Sequence, residues 1–177
     1  MKLALYGGSF DPPHAGHVAV VTKALEVLNI DKLLIVPAWR NPFKPSVIAE
    51  GTFRYEWLRE IFAPFERVGI SDFEISQEKS VYTIETVKHY LTQCDEIYLI
   101  IGADNLEKLS SWHSFDELNT LVHWVVASRN EISVPENMIQ LTINEPISST
   151  DFRTKKAPLG LEASIEQKIT TYYKEHM

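Results

Sequence analysis

Three short segments decide the architecture open to this chain: M-K-L-A-L-Y at Met1–Tyr6, K-L-L-I-V-P at Lys32–Pro37 and E-I-Y-L-I-I at Glu96–Ile101. Each is apolar nearly throughout, without the alternation that marks a half-solvated strand. A strand that is apolar on both faces has to be covered on both faces, which is the situation of a parallel sheet between two helix layers. The intervening sequence supplies the helices. From about Gly16, Val18, Val21, Leu25 and Leu28 recur at helical spacing. Trp57, Leu58, Ile61 and Phe62 share one face of a helix predicted over Phe53–Phe65, and Ile84, Val87 and Leu91 do so over Tyr82–Leu91. A short helix is expected after Asp104, and S-F-D-E at Ser114–Glu117 has a capping-box pattern. Val68–Ile75, Trp124–Ala127 and Ile139–Ile143 read as further strands, and Ser148–Arg153 and Ser164–His176 as helices. The expectation is an α/β fold: a doubly wound, Rossmann-like parallel sheet with helices on both faces and right-handed crossovers, in a single domain over residues 1–177.

Such sheets bind ligands outside the carboxyl ends of their strands, near a switch in strand order. The loops after Tyr6, Pro37 and Ile101 therefore carry the search for a site. Composition narrows the ligand. A net charge of −7 argues against a general nucleic-acid binder, yet leaves room for a local basic pocket for a phosphorylated small molecule. Cys94 is alone, which excludes a disulfide framework and a cysteine-based zinc site. Neither a signal peptide nor a run of membrane-spanning length is read, so a cytoplasmic protein is expected.

The first loop, G-G-S-F-D-P-P-H-A-G-H at Gly7–His17, is dense in unusual residues. Gly7 and Gly8 allow backbone to approach a ligand, Pro12 and Pro13 stiffen the path, and His14 and His17 are donors at the start of a helix whose N-terminus favours anions. Taken singly, a Gly-Gly is a turn and a histidine is a structural residue; together they describe a phosphate cradle. The G-K-[ST] of a P-loop and the G-x-G-x-x-G of a dinucleotide fold are both missing. His14 and His17 have no third ligand nearby in sequence, so no protein metal site is expected.

G-S-F-D-P-P-H-A-G-H resembles the first signature of the nucleotidyltransferase superfamily, with His14-Ala15-Gly16-His17 as its H-x-G-H core. I-S-S-T-D-F-R at Ile147–Arg153 resembles the second, I-S-S-T-x-x-R. There Ser148 can cap a helix with Asp151 three residues on, and Arg153 adds a cationic fork; alone, this stretch would be an ordinary capped helix. G-A-D-N-L at Gly102–Leu106 resembles a third family segment, in which Asp104 could meet a ribose or cap a helix. Pro42-Phe43-Lys44, Tyr82-Thr83 with Glu85-Thr86, and Leu109–Trp112 narrow the resemblance to nicotinate mononucleotide adenylyltransferases, over nearly the whole chain.

That resemblance implies the chemistry. ATP would be held by Gly8, Ser9, Phe10, His14, His17, Lys44, Gly102, Asp104, Ser148, Ser149, Thr150 and Arg153, with His14, His17 and Arg153 catalytic. Trp112 would stack on the pyridine ring, and Thr83 with the backbone near Trp112 and His113 would read its carboxylate. Trp57 and Trp124 match no motif and are assigned to the core. Mg²⁺ would arrive on the ATP phosphates, and the partners would be ATP and nicotinate mononucleotide, with no nucleic acid and no membrane; a homo-oligomer stays open. Three positions depart from the family pattern: Phe43 stands for a usual His, His113 for a common Tyr, and Asn130-Glu131 for a common Pro-Gly. The alternatives are a sister enzyme acting on nicotinamide mononucleotide or phosphopantetheine, and a nucleotide-binding regulator without turnover.

Overall fold

The computed structural model describes residues 1–40, 46–130 and 132–177. Its six strands are β1 (Lys2–Gly8), β2 (Lys32–Pro37), β3 (Val68–Ile70), β4 (Glu96–Gly102), β5 (Val122–Ser128) and β6 (Ile139–Thr142). They form one sheet in the order β3-β2-β1-β4-β5-β6, and every pairing is parallel. β1 is hydrogen-bonded on both sides, with Leu5 opposite Leu34 of β2 and Leu99 of β4. The order reverses between β1 and β4, so the crevice of this fold opens beyond Gly8 and Gly102.

The continuous apolarity of β1 has a simple cause. Ala4 and Tyr6 enter one core with Val20, Val21 and Ala24 of α1 (Ala15–Val27) and Leu58 and Phe62 of α2 (Gly51–Phe62). Leu3 and Leu5 enter a second core with Ile84 and Val87 of α4 (Thr83–Leu91) and Leu118 of α5 (Phe115–Leu121). Trp124 sits in that second core, and Trp57 in a third, as their lack of a motif suggested.

Three local expectations change. The strand read over Val68–Ile75 stops at Ile70, because the Ser71 hydroxyl accepts the Phe73 N–H at 3.1 Å and turns the chain into the short helix α3 (Phe73–Ser76). Ser114 precedes α5 in a left-handed conformation, φ 54°, and makes no side-chain cap bond, so the capping box does not form. The helix expected after Asp104 is a 3₁₀ helix over Ala103–Ser111, and Gly102, not Asp104, stands at its cap.

The third core joins the C-terminal helices to the middle of the chain. Phe152 of α6 (Ser149–Lys155) and Ile165, Ile169 and Tyr173 of α7 (Ala163–His176) pack with Trp57 of α2. The turn before α7 docks on the start of α1: Leu159 accepts the Ala15 N–H at 2.9 Å, and the Glu166 carboxylate takes the N–H groups of Leu159 and Leu161 at 2.9 and 3.1 Å. Gly160 in this turn has φ +69°, and a Cβ there would lie 2.6 Å from Ile147 Cδ1 and 3.0 Å from Ala15 Cβ. Gly160→Ala is therefore expected to lower stability by about 1–3 kcal/mol, read as a lower urea midpoint. An unchanged midpoint would show that the turn is not tightly seated.

Candidate active site

The loop leaving β1 is built from residues that turn their backs on solvent. Phe10 adopts φ 49°, unusual for a non-glycine residue, and its buried ring meets Tyr6 and His17 edge-on at centroid distances of 5.4 and 4.7 Å. Buried Asp11 accepts the N–H groups of Ile48 and Ala49 at 2.9 and 3.0 Å and the Tyr173 hydroxyl. The loop after β1 is thereby tied to the segment entering α2 and to α7.

His14 and His17 form a reciprocal cap on α1. Nδ1 of His14 accepts the Gly16 N–H at 3.0 Å, and Nδ1 of His17 accepts the His14 N–H at 3.1 Å. An imidazole nitrogen that accepts must be unprotonated, so each neutral ring carries its proton on Nε2. The rings lie 3.8 Å apart, tilted by 31°. Gly16 is required by this arrangement: a Cβ there would sit 2.8 Å from His14 Cε1 and Nδ1 and 3.2 Å from the Ile147 carbonyl. The cap alters one expectation about the cradle. The Ala15 and Gly16 N–H groups at the start of α1 are already bonded within the protein, to the Leu159 carbonyl and to His14. Neither of these two amides is left unpaired at the start of α1.

The second signature meets the first across the fold. Ser148 caps α6, its Oγ accepting the Asp151 N–H at 3.0 Å and donating to the Asp151 carboxylate at 2.8 Å. Ser149 Oγ donates to the Pro12 carbonyl at 2.7 Å, and Arg153 Nη1 donates to the Asp11 carbonyl. Segments about 137 residues apart are thus joined directly. Two of the four polar side chains, Ser148 and Ser149, direct their hydroxyl protons to protein acceptors, while Thr150 is exposed and Arg153 keeps Nη2 near Thr150 Oγ1 at 3.5 Å.

Gly102 closes β4 beside β1, and a Cβ on it would meet Asp104 Oδ1 at 2.6 Å. Asp104 itself is exposed. On the other side, Thr83 at the start of α4 shares a small cavity of about 40 Å³ with Gly7 and Val36. Tyr82, beside Thr83 in the chain, stacks on His113 with centroids 4.2 Å apart and 20° between planes. Trp112 is half-buried, edge-on to Trp124 at 6.2 Å. Lys44, with Pro42 and Phe43, lies outside the described residues, as does Glu131. A cavity of about 610 Å³ runs along α1 and the start of α7 past Lys23, Glu60 and Asn144, and none of the candidate residues lines it.

Three charged residues near the site carried no motif. Arg129 follows β5, and its charge acts on Tyr6, His14 and Asp151. Its position just past a strand's carboxyl end was the available signal. Glu74 lies in the same small cavity as Thr83 and accepts the Thr86 hydroxyl at 2.6 Å; burial pushes its carboxyl up to about 7. Arg54 is fully buried in α2 and looked like an ordinary helix residue. Burial, with Arg129 nearby, holds His14 down to about 4, so its ring is neutral at physiological pH.

Residues 5–155 match the model of the family described as cytidylyltransferase-like. A probable nicotinate-nucleotide adenylyltransferase from Sulfurimonas denitrificans is 47% identical over 98% of this chain and 95% of its own length. The chain belongs to the nicotinate-nucleotide adenylyltransferase family. A relative of the same name from Campylobacter jejuni is 45% identical over 99% of this chain and 98% of its own length. The Plasmodium falciparum nicotinic acid mononucleotide adenylyltransferase complexed with NaAD has the same fold. It superposes with a TM-score of 0.74 over 98% of this chain and 95% of that one, at 21% identity.

The buried, neutral His14 makes stability depend on pH. Its folded value of about 4 lies below the ordinary 6.5, so its contribution is complete above pH 6.5 and is lost as pH falls towards 4. The loss amounts to about 3 kcal/mol. Glu74, raised to about 7, has the opposite sign and stabilises most at low pH. His14→Asn keeps a capping side chain and removes the titration. Its stability should fall less than the wild type's between pH 6.5 and 4 in paired denaturation series; parallel profiles would contradict the buried neutral state.

Proposed function

We propose that this chain transfers the adenylyl group of ATP to nicotinate mononucleotide, releasing pyrophosphate and forming the deamido dinucleotide of NAD biosynthesis. One observation carries the reading: the I-S-S-T-x-x-R helix is hydrogen-bonded, through Ser149 and Arg153, to the Pro12 and Asp11 carbonyls of the loop that leads into H-x-G-H. The close relatives bear the name of this activity. In the reaction, a 5′-phosphate oxygen of the mononucleotide attacks the α-phosphorus of ATP. The bond from that phosphorus to the α,β-bridging oxygen breaks, and its electrons leave with pyrophosphate. The nucleophile is already an anion, so the protein's task is placement and charge stabilisation instead of proton removal.

His17 Nε2–H donates to the α-phosphate as charge builds, and His14 Nε2–H orients the neighbouring oxygens. Arg153 and Thr150 hold the β- and γ-phosphates, while Ser148 and Ser149 fix the helix that presents them. Gly8, Ser9 and Phe10 line the approach of the phosphates, Gly102 and Asp104 take the nucleoside side, and Lys44 adds a phosphate contact. Among the described residues no group of three or more His, Cys, Asp or Glu side chains could hold a metal ion. Mg²⁺ would arrive on the triphosphate and neutralise the leaving group. At the acceptor end Trp112 offers its face, with Thr83 and the His113 backbone reading the ring substituent.

A pyrophosphate-release assay with ATP and each of nicotinate mononucleotide, nicotinamide mononucleotide and phosphopantetheine tests this function. Release is expected with the first; ATP binding without release from any would point to the regulator. His17→Ala should fold normally and lose about 10²–10³-fold in turnover. Full activity in that variant would remove His17 from the chemistry. Lys44→Ala should chiefly raise KM for ATP, and an unchanged KM would make Lys44 a surface residue.

A further inference from the structure

Arg54 is 0% exposed, yet it makes no ion pair among the described residues. Its guanidinium is instead divided among backbone carbonyls. Nε donates to Ala49 at 2.8 Å, Nη1 to Ser9 at 2.6 Å and Ala38 at 2.7 Å, and Nη2 to Trp39 at 3.2 Å. These acceptors belong to three pieces of chain: the loop leaving β1, the end of β2's exit, and the segment entering α2. Burying a cation is costly unless its donors are satisfied, and a planar fork is the side chain that can satisfy carbonyls in several directions at once. Asp11 completes the hub from the other side. It is also buried, and holds the Ile48 and Ala49 N–H groups and the Tyr173 hydroxyl.

The bond to Ser9 bears on catalysis through peptide geometry. In a planar trans peptide the C=O and the following N–H point in opposite directions. Drawing the Ser9 carbonyl inward to Arg54 therefore turns the Phe10 N–H outward, and that N–H makes no hydrogen bond to another described backbone group. The Phe10 ring, held by the same conformation, lies edge-on against the His17 imidazole at 4.7 Å. One guanidinium thus sets both the direction of a loop amide and the wall on which His17 rests.

We propose that Arg54 is a positioning residue for adenylyl transfer: it touches no substrate, but by pinning Ser9, Ala38 and Trp39 it aims the Phe10 amide and seats His17 against the reacting phosphate. This inference rests on the adenylyl-transfer reading above. Trp112, the proposed platform for the acceptor ring, packs on the core of α4 and α5 and not on the core of α2. Loss of Arg54's bonds should therefore reach the transfer step and the triphosphate, but not acceptor binding.

The test uses the full chain with Arg54→Lys, which keeps a cation but not the planar fork, and Leu58→Ala as a control. Leu58 is buried in the same helix and makes no hydrogen bond to either loop, so the control lowers stability while leaving the hub's hydrogen bonds in place. Both are assayed for pyrophosphate release, per folded molecule, at a temperature where denaturation curves show them folded. Arg54→Lys should lower kcat by about 10²-fold, the scale of a small misplacement of reacting groups. KM for nicotinate mononucleotide should stay within about twofold of wild type, and Leu58→Ala should keep wild-type kcat. Should Arg54→Lys not stay folded, Arg54→Ala with added guanidinium replaces it, and kcat should rise with guanidinium concentration. Wild-type kcat in Arg54→Lys, an equal loss in Leu58→Ala, or no response to guanidinium would make Arg54 a purely structural residue and overturn the proposal. A wild-type chain that releases no pyrophosphate with any acceptor would overturn the underlying function, and this inference with it.

Discussion

β1 pairs in parallel with β2 on one side and β4 on the other, and the rest of the molecule is arranged around that double pairing. Because both neighbours run the same way, all three carboxyl ends finish at one edge. Because the order turns back across β1, the helices that follow β1 and β4 leave towards opposite faces and open a crevice there. A strand so placed can have no solvated face, which is why Leu3, Ala4, Leu5 and Tyr6 are all buried. The glycines begin where burial ends, and they release the loop that leads into the H-x-G-H segment.

That loop keeps its shape by hydrogen bonds made inward. Asp11, Ser149, Arg153 and Arg54 all bond to or from backbone around it, from α6, α7 and α2 or the segments beside them. The two histidines add to these contacts: each uses Nδ1 to cap α1, which leaves the proton of its neutral ring on Nε2. The cap that ends the loop thus also fixes the tautomer of both rings. Preorganisation of this kind matters most where charge develops on phosphate and little covalent assistance is needed.

The electrostatics are local. The chain carries a net charge of −7, but the charge of Arg129 acts on His14 and Arg153 bonds to the loop after β1. An acidic protein thereby gathers two arginines around one loop. His14 is kept neutral by burial and by Arg129, so its contribution is a directed N–H and not a charge. Arg54 is cationic too, but its bonds to carbonyls turn that charge into backbone geometry.

The sequence alone determined the parallel sheet, most of its strands and helices, and the two signatures, because those features are written in adjacent residues. Apolar runs demand two covered faces, and motif spacing places side chains along one loop or one helix turn. The β2 boundaries are those read from K-L-L-I-V-P, and the Ser148 cap forms as its spacing suggested. What only the tertiary structure decided is how polar groups far apart in the chain are used. A cap read into Ser114 is undone by a left-handed backbone, and the amides opening α1 are taken by Leu159 and His14. Arg54 and Arg129 have no motif, since their meaning comes from carbonyls and rings supplied by other segments. Hydrogen bonds and charges act over a few ångströms of space, and the pattern of neighbouring residues does not record which distant groups the fold will bring within that range.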